Sequence, residues 1–428
     1  MQDHSNPARY VPCAGTTSGR ETTHRRQFGA AFAATLLAAT SLDARRTLAQ
    51  TAQPRTFQAA GDPLLNFDYR QIAVAEGLEH PWSIAWLPDG TALVTERPGR
   101  LRAIRNGRLD PTPIAGTPPV LVAPERGLIY QSGLFEVSPH PNFAQNRLIY
   151  LTYAHGTQAD NRLRLSRATF DGQRLSNLQV LFEVSQGKPE YQHYGGRLLW
   201  LPDGTLLLSV GDGGNPPVMI EGRLARLNAQ DLGSHIGKIL RLRDDGTAPA
   251  DNPFVGRQGA KPEVFSYGHR HIQGLARHPD GRIFATEHGP LGGDELNLIR
   301  QGGNYGWPVV TWGRDYAGAA QIGTGQRSAP GMIDPVLVWF PEATAPSGLM
   351  IYTGDKFPNW RGNIFSGGLA TQDIRRIVVN SDNVVTAHES MRIGQRVRDV
   401  RQGPDGFVYV LTDEIHGRVF RLEPAAAS

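Results

Sequence analysis

The chain has 428 residues, 39% apolar and 20% charged, with a formal charge of +4. That apolar content can fill a large core and excludes a disordered protein. Six arginines against Asp3, Glu21 and Asp43 fall in the first 49 residues, which leaves 38 of the 44 basic and 37 of the 40 acidic residues for the rest; so neutral a body speaks against nucleic acid as a partner.

In chain order, the first feature is Arg25-Arg26 ahead of an uncharged run from Gln27 to Leu42. Those 16 residues fall short of the roughly 20 that a membrane-spanning helix needs. A twin-arginine export signal fits, with a cut after Thr47-Leu48-Ala49. Residues 1–49 are therefore expected to be a leader and 50–69 a short linker. The protein is expected to be periplasmic or secreted, without stable membrane insertion. The single cysteine, Cys13, lies in this leader, so a mature chain would have no disulfide and no thiolate chemistry.

From residue 70 to 424 the pattern is short β-rich runs: TALVTE, RLIYLTYA, TLLLSVGD, RIFATEHG, NIFSGGLA and FVYVLTDE. Each follows a turn, at Pro88-Asp89-Gly90, Pro141-Asn142, Pro202-Asp203-Gly204, Pro279-Asp280-Gly281, Pro358-Asn359 and Pro404-Asp405-Gly406. Proline presets φ in such turns and glycine accepts positive φ. The spacings of 53, 61, 77, 79 and 46 residues are too irregular for a solenoid and natural for propeller blades with loop insertions. The expected fold is all-β: one six-bladed β-propeller with four-stranded antiparallel blades, over residues 70–424. A two-sheet sandwich is the competing fold, awkward at this length without a domain boundary. In a propeller, site residues should be scattered in sequence, near strand ends where loops converge on the channel mouth.

Several segments could carry chemistry. In Tyr191-Gln192-His193-Tyr194-Gly195-Gly196, His193 precedes a predicted strand; at a channel mouth it could act as a general base, and elsewhere it is an ordinary core histidine. The run His269-Arg270-His271 is followed by Glu287-His288-Gly289-Pro290 and Asp294. Its histidines match no compact zinc spacing. Carbonyls at a Gly-Pro kink suit an oxygen-seeking cation such as calcium, although a loop closed by Asp294 explains the same residues. Trp307, Trp312 and Trp339 could stack on a sugar or simply fill the core. Arg396 and Arg398, two apart on a strand, should share a face. Either Asp399 or Asp413 neutralises them, or they clamp a polyanionic ligand.

These segments resemble the soluble pyrroloquinoline quinone (PQQ)-dependent aldose dehydrogenases of the glucose/sorbosone dehydrogenase family. The resemblance covers nearly the whole body, through GLEHPWSIAWLPDG, HYGGRLLWLPDGTLLLSVGD, SYGHRHIQGLARHPDG, EHGPLGGDELNLIRQGGNYGWP and QRVRDVRQGPDGFVYVLTDE among others. It implies a dehydrogenase that oxidises aldose sugars at the anomeric carbon and passes electrons to an external acceptor (a quinone, cytochrome or dye), with PQQ and Ca2+ as cofactors. By resemblance, His193 is the base and Arg270 the residue that polarises the quinone. Gly289 and Pro290 hold calcium through their carbonyls, Arg396 and Arg398 clamp the cofactor carboxylates, and Gln131 lies near sugar and calcium. The sequence departs from the family pattern at three places. His271 replaces an asparagine that contacts the cofactor, Gln192 replaces the aspartate before the base in glucose-type enzymes, and Gly368-Leu369-Ala370-Thr371 lacks a lysine. A calcium-dependent lactonase and a non-catalytic binding propeller are the competing functions; the first has no use for Arg396 and Arg398, and retention of His193 with Arg270 disfavours the second.

Overall fold

The computed structural model describes residues 55–57, 69–124, 131–214 and 218–425. The expected leader, with its export signal, and most of the expected linker lie outside the described residues.

Six four-stranded antiparallel sheets form the blades of a propeller, as expected. Blade I is Pro81–Trp86, Ala92–Glu96, Arg100–Arg105 and Arg108–Leu109; blade II is Leu134–Pro139, Leu148–Gly156, Asn161–Phe170 and Leu175–Glu183. Blade III is Gly195–Trp200, Leu206–Val210, Lys238–Leu242 and Val264–Tyr267; blade IV is Ile272–Arg277, Ile283–Glu287, Asp294–Ile299 and Leu337–Trp339. Blade V is Pro346–Ile351, Ile364–Gly368, Asp373–Val379 and Val385–Arg392. Blade VI combines Val397–Gln402, Val408–Thr412 and Gly417–Pro424 with the early strand Tyr69–Leu78. That pairing makes the early strand the outer strand of the last blade, so the ring is closed by the two ends of the propeller body. Within the expected linker, Arg55–Phe57 adds a fifth, parallel strand to blade IV. Among the described residues, no helix is long and apolar enough to cross a membrane.

Each repeated turn joins the first strand of a blade to its second. Two of the six are helical: the α-turn Phe143–Asn146 and the 3-10 turn Pro358–Trp360. The second strands of blades I, III, V and VI are buried along their whole length, because neighbouring blades cover both faces. This is why they read as near-continuous apolar runs rather than alternating ones.

A hydroxyl residue in each second strand breaks that apolar pattern. Thr95, Thr152, Ser209, Thr286, Ser366 and Thr412 are all wholly buried. Every first strand carries a register shift near its start, and such a bulge leaves backbone groups unpaired. In blades I to III the hydroxyl accepts one of these, from the N–H groups of Ser83, Glu136 and Arg197. Around four successive interfaces the same hydroxyls donate to the next blade, to the carbonyls of Phe135, Gly196, Ile272 and Ser347. One side chain thus repairs its own blade and ties it to the next.

The propeller axis is crossed by charge. Arg197 pairs with Glu136 at 3.1 Å and with Asp399 at 3.2 Å, and Arg401 reaches the same two carboxylates at 2.8 and 3.0 Å. Two cations and two anions cancel, as buried charges must. Arg197 also donates to the Gln273 carbonyl and lies over the Trp82 ring, so blades I, II, III, IV and VI meet at one side chain.

Candidate active site

A cavity of about 220 Å3 opens at one end of the axis, lined by Trp82, Arg97, Gln131, Tyr194, His271, His288, Arg396 and Arg398 among others. Most polar lining residues sit just before a first strand (Gln131, His271, Arg396) or just after a second strand (Arg97, His288). The blade geometry therefore brings together residues some 300 positions apart.

His193 precedes blade III in a left-handed conformation, with φ of 49°, which costs a non-glycine residue about 1 kcal/mol or more. Its surroundings hold it there. Its N–H donates to Gln131 Oε1 at 3.1 Å, and a Cβ at Gly211 would fall 2.1 Å from its carbonyl oxygen. The ring Nδ1 lies 2.6 Å from Asp212 Oδ1, while Asp212 Oδ2 accepts from Trp307 Nε1 at 2.9 Å. An ionised Asp212 therefore accepts a hydrogen bond from Nδ1–H and leaves Nε2 as the nitrogen able to accept a proton. Burial pushes Asp212 up to about 6. Burial, with Arg270, His288 and Lys188 nearby, pushes the His193 imidazolium well below the ordinary histidine range. The ring is thus neutral at neutral pH, as a base must be.

His271 stacks on His193, and it is His271, with Tyr194 and Gly195, that lines the cavity. Arg270 does not line this cavity. Its guanidinium donates to the His288 carbonyl at 2.9 Å and its N–H to Glu287 Oε2 at 2.7 Å, and it lines a smaller void together with Gly289 and Trp307. Asp294 closes the Gly289–Asp294 loop as the sequence suggested, accepting from the N–H groups of Gly289, Thr344 and Ala345 at 2.7–2.8 Å. Among the described residues, no hydrogen bond is made to the Gly289 or Pro290 carbonyl. Gly289 borders the smaller void, and Pro290 lines neither space.

At the blade VI end, Arg396 and Arg398 both face the cavity, and Asp413 is their counterion. Asp399 belongs to the axial network instead. Neutralisation of the arginine pair therefore comes from Asp413 and not from Asp399. Burial opposes ionisation of Asp413, yet Arg398, Arg97 and His80 hold its carboxyl well below the usual range. The Nε atoms of Arg396 and Arg398 are buried without a hydrogen-bond partner, which leaves donors to spare for an anion.

The three tryptophans serve packing and positioning. Trp339 is fully buried and bonds His388, Trp307 holds Asp212, and Trp312 is buried beneath the Arg327 guanidinium. Sequence reasoning missed Asp212 and Arg97. Arg97 immediately follows one second strand and Asp212 lies two residues past the end of another, so the repeat that located the strands also marked their positions.

Residues 78–421 match the glucose/sorbosone dehydrogenase family. An uncharacterized protein of Synechocystis, slr1608, is 54% identical over 83% of this chain and 87% of its own length. The aldose sugar dehydrogenase YliI of Escherichia coli is 38% identical over 81% of this chain and 91% of its own. Among solved structures, the PQQ-bound aldose sugar dehydrogenase of Streptomyces coelicolor superposes with a TM-score of 0.67 at 28% identity, covering 85% of this chain and 99% of that one.

Proposed function

The chain belongs to the glucose/sorbosone dehydrogenase family, and from that premise we propose that it oxidises aldose sugars at the anomeric carbon to lactones, using PQQ and calcium and an external electron acceptor. The observation that carries this reading is one cavity that joins an arginine cluster, only partly neutralised by Asp413, to a histidine layer backed by the His193–Asp212 pair. The name of the Escherichia coli relative and the ligand of the Streptomyces structure support it.

The residues fit both cofactors. Unpartnered Nε donors on Arg396 and Arg398 suit a polycarboxylate, and the unclaimed carbonyl of Gly289, which borders the smaller void, suits a hard cation, with the Pro290 carbonyl next to it in the same kink. When bound, the quinone supplies the hydride acceptor and calcium a Lewis acid. His193 takes the anomeric hydroxyl proton at Nε2, and Asp212, fixed by Trp307, stabilises the imidazolium that forms. Arg270, tethered to Glu287 and His288, adds positive charge where negative charge develops. Gln131 holds the strained His193 backbone in place, and His271 walls the cofactor side of the cavity. The leader belongs to the same proposal: Arg25-Arg26 and the apolar run after them support export to the periplasm or beyond.

The test is dye-linked oxidation of a panel of aldoses by chelator-treated protein, with and without PQQ and calcium. Activity only with both is expected. A folded protein that oxidises no sugar under any condition would overturn the proposal and favour a lactonase or a binding propeller.

A further inference from the structure

Resting on the reading of His193 as the base, we infer that Lys238 is a positioning residue of the active site: its ammonium fixes the 3-10 turn Ala225–Gln230, and that turn carries the Trp307 indole which orients Asp212 and so His193. Lys238 opens the third strand of blade III, is wholly buried, and lines neither the cavity nor the smaller void. Its Nζ donates to the carbonyls of Asn228 at 2.7 Å, Ala229 at 3.0 Å and Ile236 at 2.8 Å. An ammonium has three protons and no acceptor, so three carbonyls use its whole capacity and leave none for a substrate or cofactor. A cation is costly to bury. Here its bonds gather the end of the turn and the segment leading into the strand, and they hold a turn of 6 residues that is too short to be stable alone.

The turn is bonded directly to Trp307. Gln230, its last residue, donates from Nε2 to the Trp307 carbonyl at 2.8 Å and exchanges two hydrogen bonds of 2.9 Å with the Asn304 amide. The Trp307 N–H donates to the Gly268 carbonyl at 2.9 Å, and the Gly268 N–H donates in turn to the Ala229 carbonyl at 2.9 Å. Ala229 and Trp307 also pack together in a small apolar cluster with Ile322. Gly237 lets turn and strand approach this closely, since a Cβ there would fall 2.5 Å from that of Ala229. Both backbone groups of Trp307 are thus anchored, one directly and one through Gly268, to the segment that Lys238 grips. The Trp307 Nε1 then reaches Asp212 Oδ2 at 2.9 Å, and Asp212 Oδ1 lies 2.6 Å from His193 Nδ1. Loosening Trp307 would free Asp212 to turn, although Lys238 is hydrogen-bonded to neither.

The experiment follows the Trp307 indole N–H by NMR in full-length apoprotein, assigned by its absence in Trp307→Phe, and measures kcat and KM for an aldose with PQQ and calcium. In the wild type the indole signal should report the Asp212 titration, since the two groups are bonded. Lys238→Met keeps the length of the side chain and removes its donors. Gln230→Met breaks the link to Trp307 with the lysine in place, and it serves if Lys238→Met does not fold. Either variant should speed indole exchange about tenfold or more, move the Asp212 midpoint upward because the indole bond favours the ionised carboxylate, and lower kcat about tenfold with little change in KM. Combined with Trp307→Phe, neither should add to the loss in kcat that Trp307→Phe causes alone. A folded variant that melts earlier but keeps the wild-type indole exchange and Asp212 midpoint would overturn the inference, as would losses that add to that of Trp307→Phe. A wild type that oxidises no sugar, with the indole response as expected, would overturn the base reading and leave the linkage from Lys238 to Asp212 standing.

Discussion

His193 and His271 lie face to face, with ring centroids 4.3 Å apart and planes 11° from parallel. His271 also meets His288 edge-on at 5.3 Å, and its Nδ1 is buried without a hydrogen-bond partner. It is a wedge between the proposed base and the metal-side loop. Burial, then the charges of its neighbours, drives His271 well below the ordinary histidine range, so neither stacked ring is charged at neutral pH. His271→Ala removes the ring that shields His193. The His193 titration, followed by NMR in the apoprotein, should then move upward toward 6.5, with about 1 kcal/mol of stability lost with the stack. An unmoved titration would assign the depression to the rest of its burial and to Arg270, His288 and Lys188 instead.

Asp212 sets the acid limit of activity. It is raised to about 6 by burial, so as pH falls through that value it takes up a proton and ceases to accept from His193 Nδ1. The wild-type kcat/KM should decline below about pH 6. In Asp212→Asn that limb should vanish, with kcat reduced by about a hundredfold. Stability moves the other way. Between pH 6 and the unfolded carboxylate value of 3.8 the native state binds the extra proton, so the Asp212 contribution is present at low pH and is lost as pH rises through 6. Urea unfolding of wild type and variant from pH 4 to 7 should show that difference. A limb that persists in the variant would assign it to another group.

Asp413 is the keystone of the arginine cluster. Removing the carboxylate takes the shared counterion from the buried Arg398 and the half-buried Arg396. Asp413→Asn should cost the apoprotein about 3 kcal/mol at pH 7. Because its folded value lies well below 3.8, the stabilisation is complete above 3.8 and lost as pH falls through the folded value; the gap between wild type and variant should narrow in strong acid. PQQ, as a substitute anion, should raise the melting temperature of the variant more than that of the wild type. Equal increments would argue against an anion site there.

The blades were legible because local chemistry specifies them: a Pro-Asp-Gly or Pro-Asn turn, then an apolar strand. Arg396 and Arg398 were legible for the same reason, since period-two spacing fixes their common face. Asp294 announced itself through the glycines around it. What stayed hidden depends on groups far apart in the chain. Asp212 matters because Trp307 and His193 converge on it, and Arg97 because blade I closes against blade VI. The pairing of Arg55–Phe57 with blade IV has no local sequence signal at all. The buried hydroxyls were in plain sight in every strand string, but their role exists only once a bulge and a neighbouring blade are both present.

Those hydroxyls differ in what they bridge, and this permits a comparison within one protein. Thr152 accepts from Glu136 N at 3.0 Å and donates to the Gly196 carbonyl at 2.6 Å. Thr152→Val keeps the shape and strands both groups in a wholly buried interface, at a cost of about 2–4 kcal/mol. Ser366 donates instead to the carbonyl of Gly367 in its own strand, at 3.4 Å. Ser366→Ala should cost less than about 1 kcal/mol. Thr152→Ser, which keeps the hydroxyl, should fall near wild type. Urea unfolding of the three variants decides the matter: a large loss at Thr152→Val alone locates the stabilisation in the bridge between blades, whereas equal losses would locate it in the burial of the second strand.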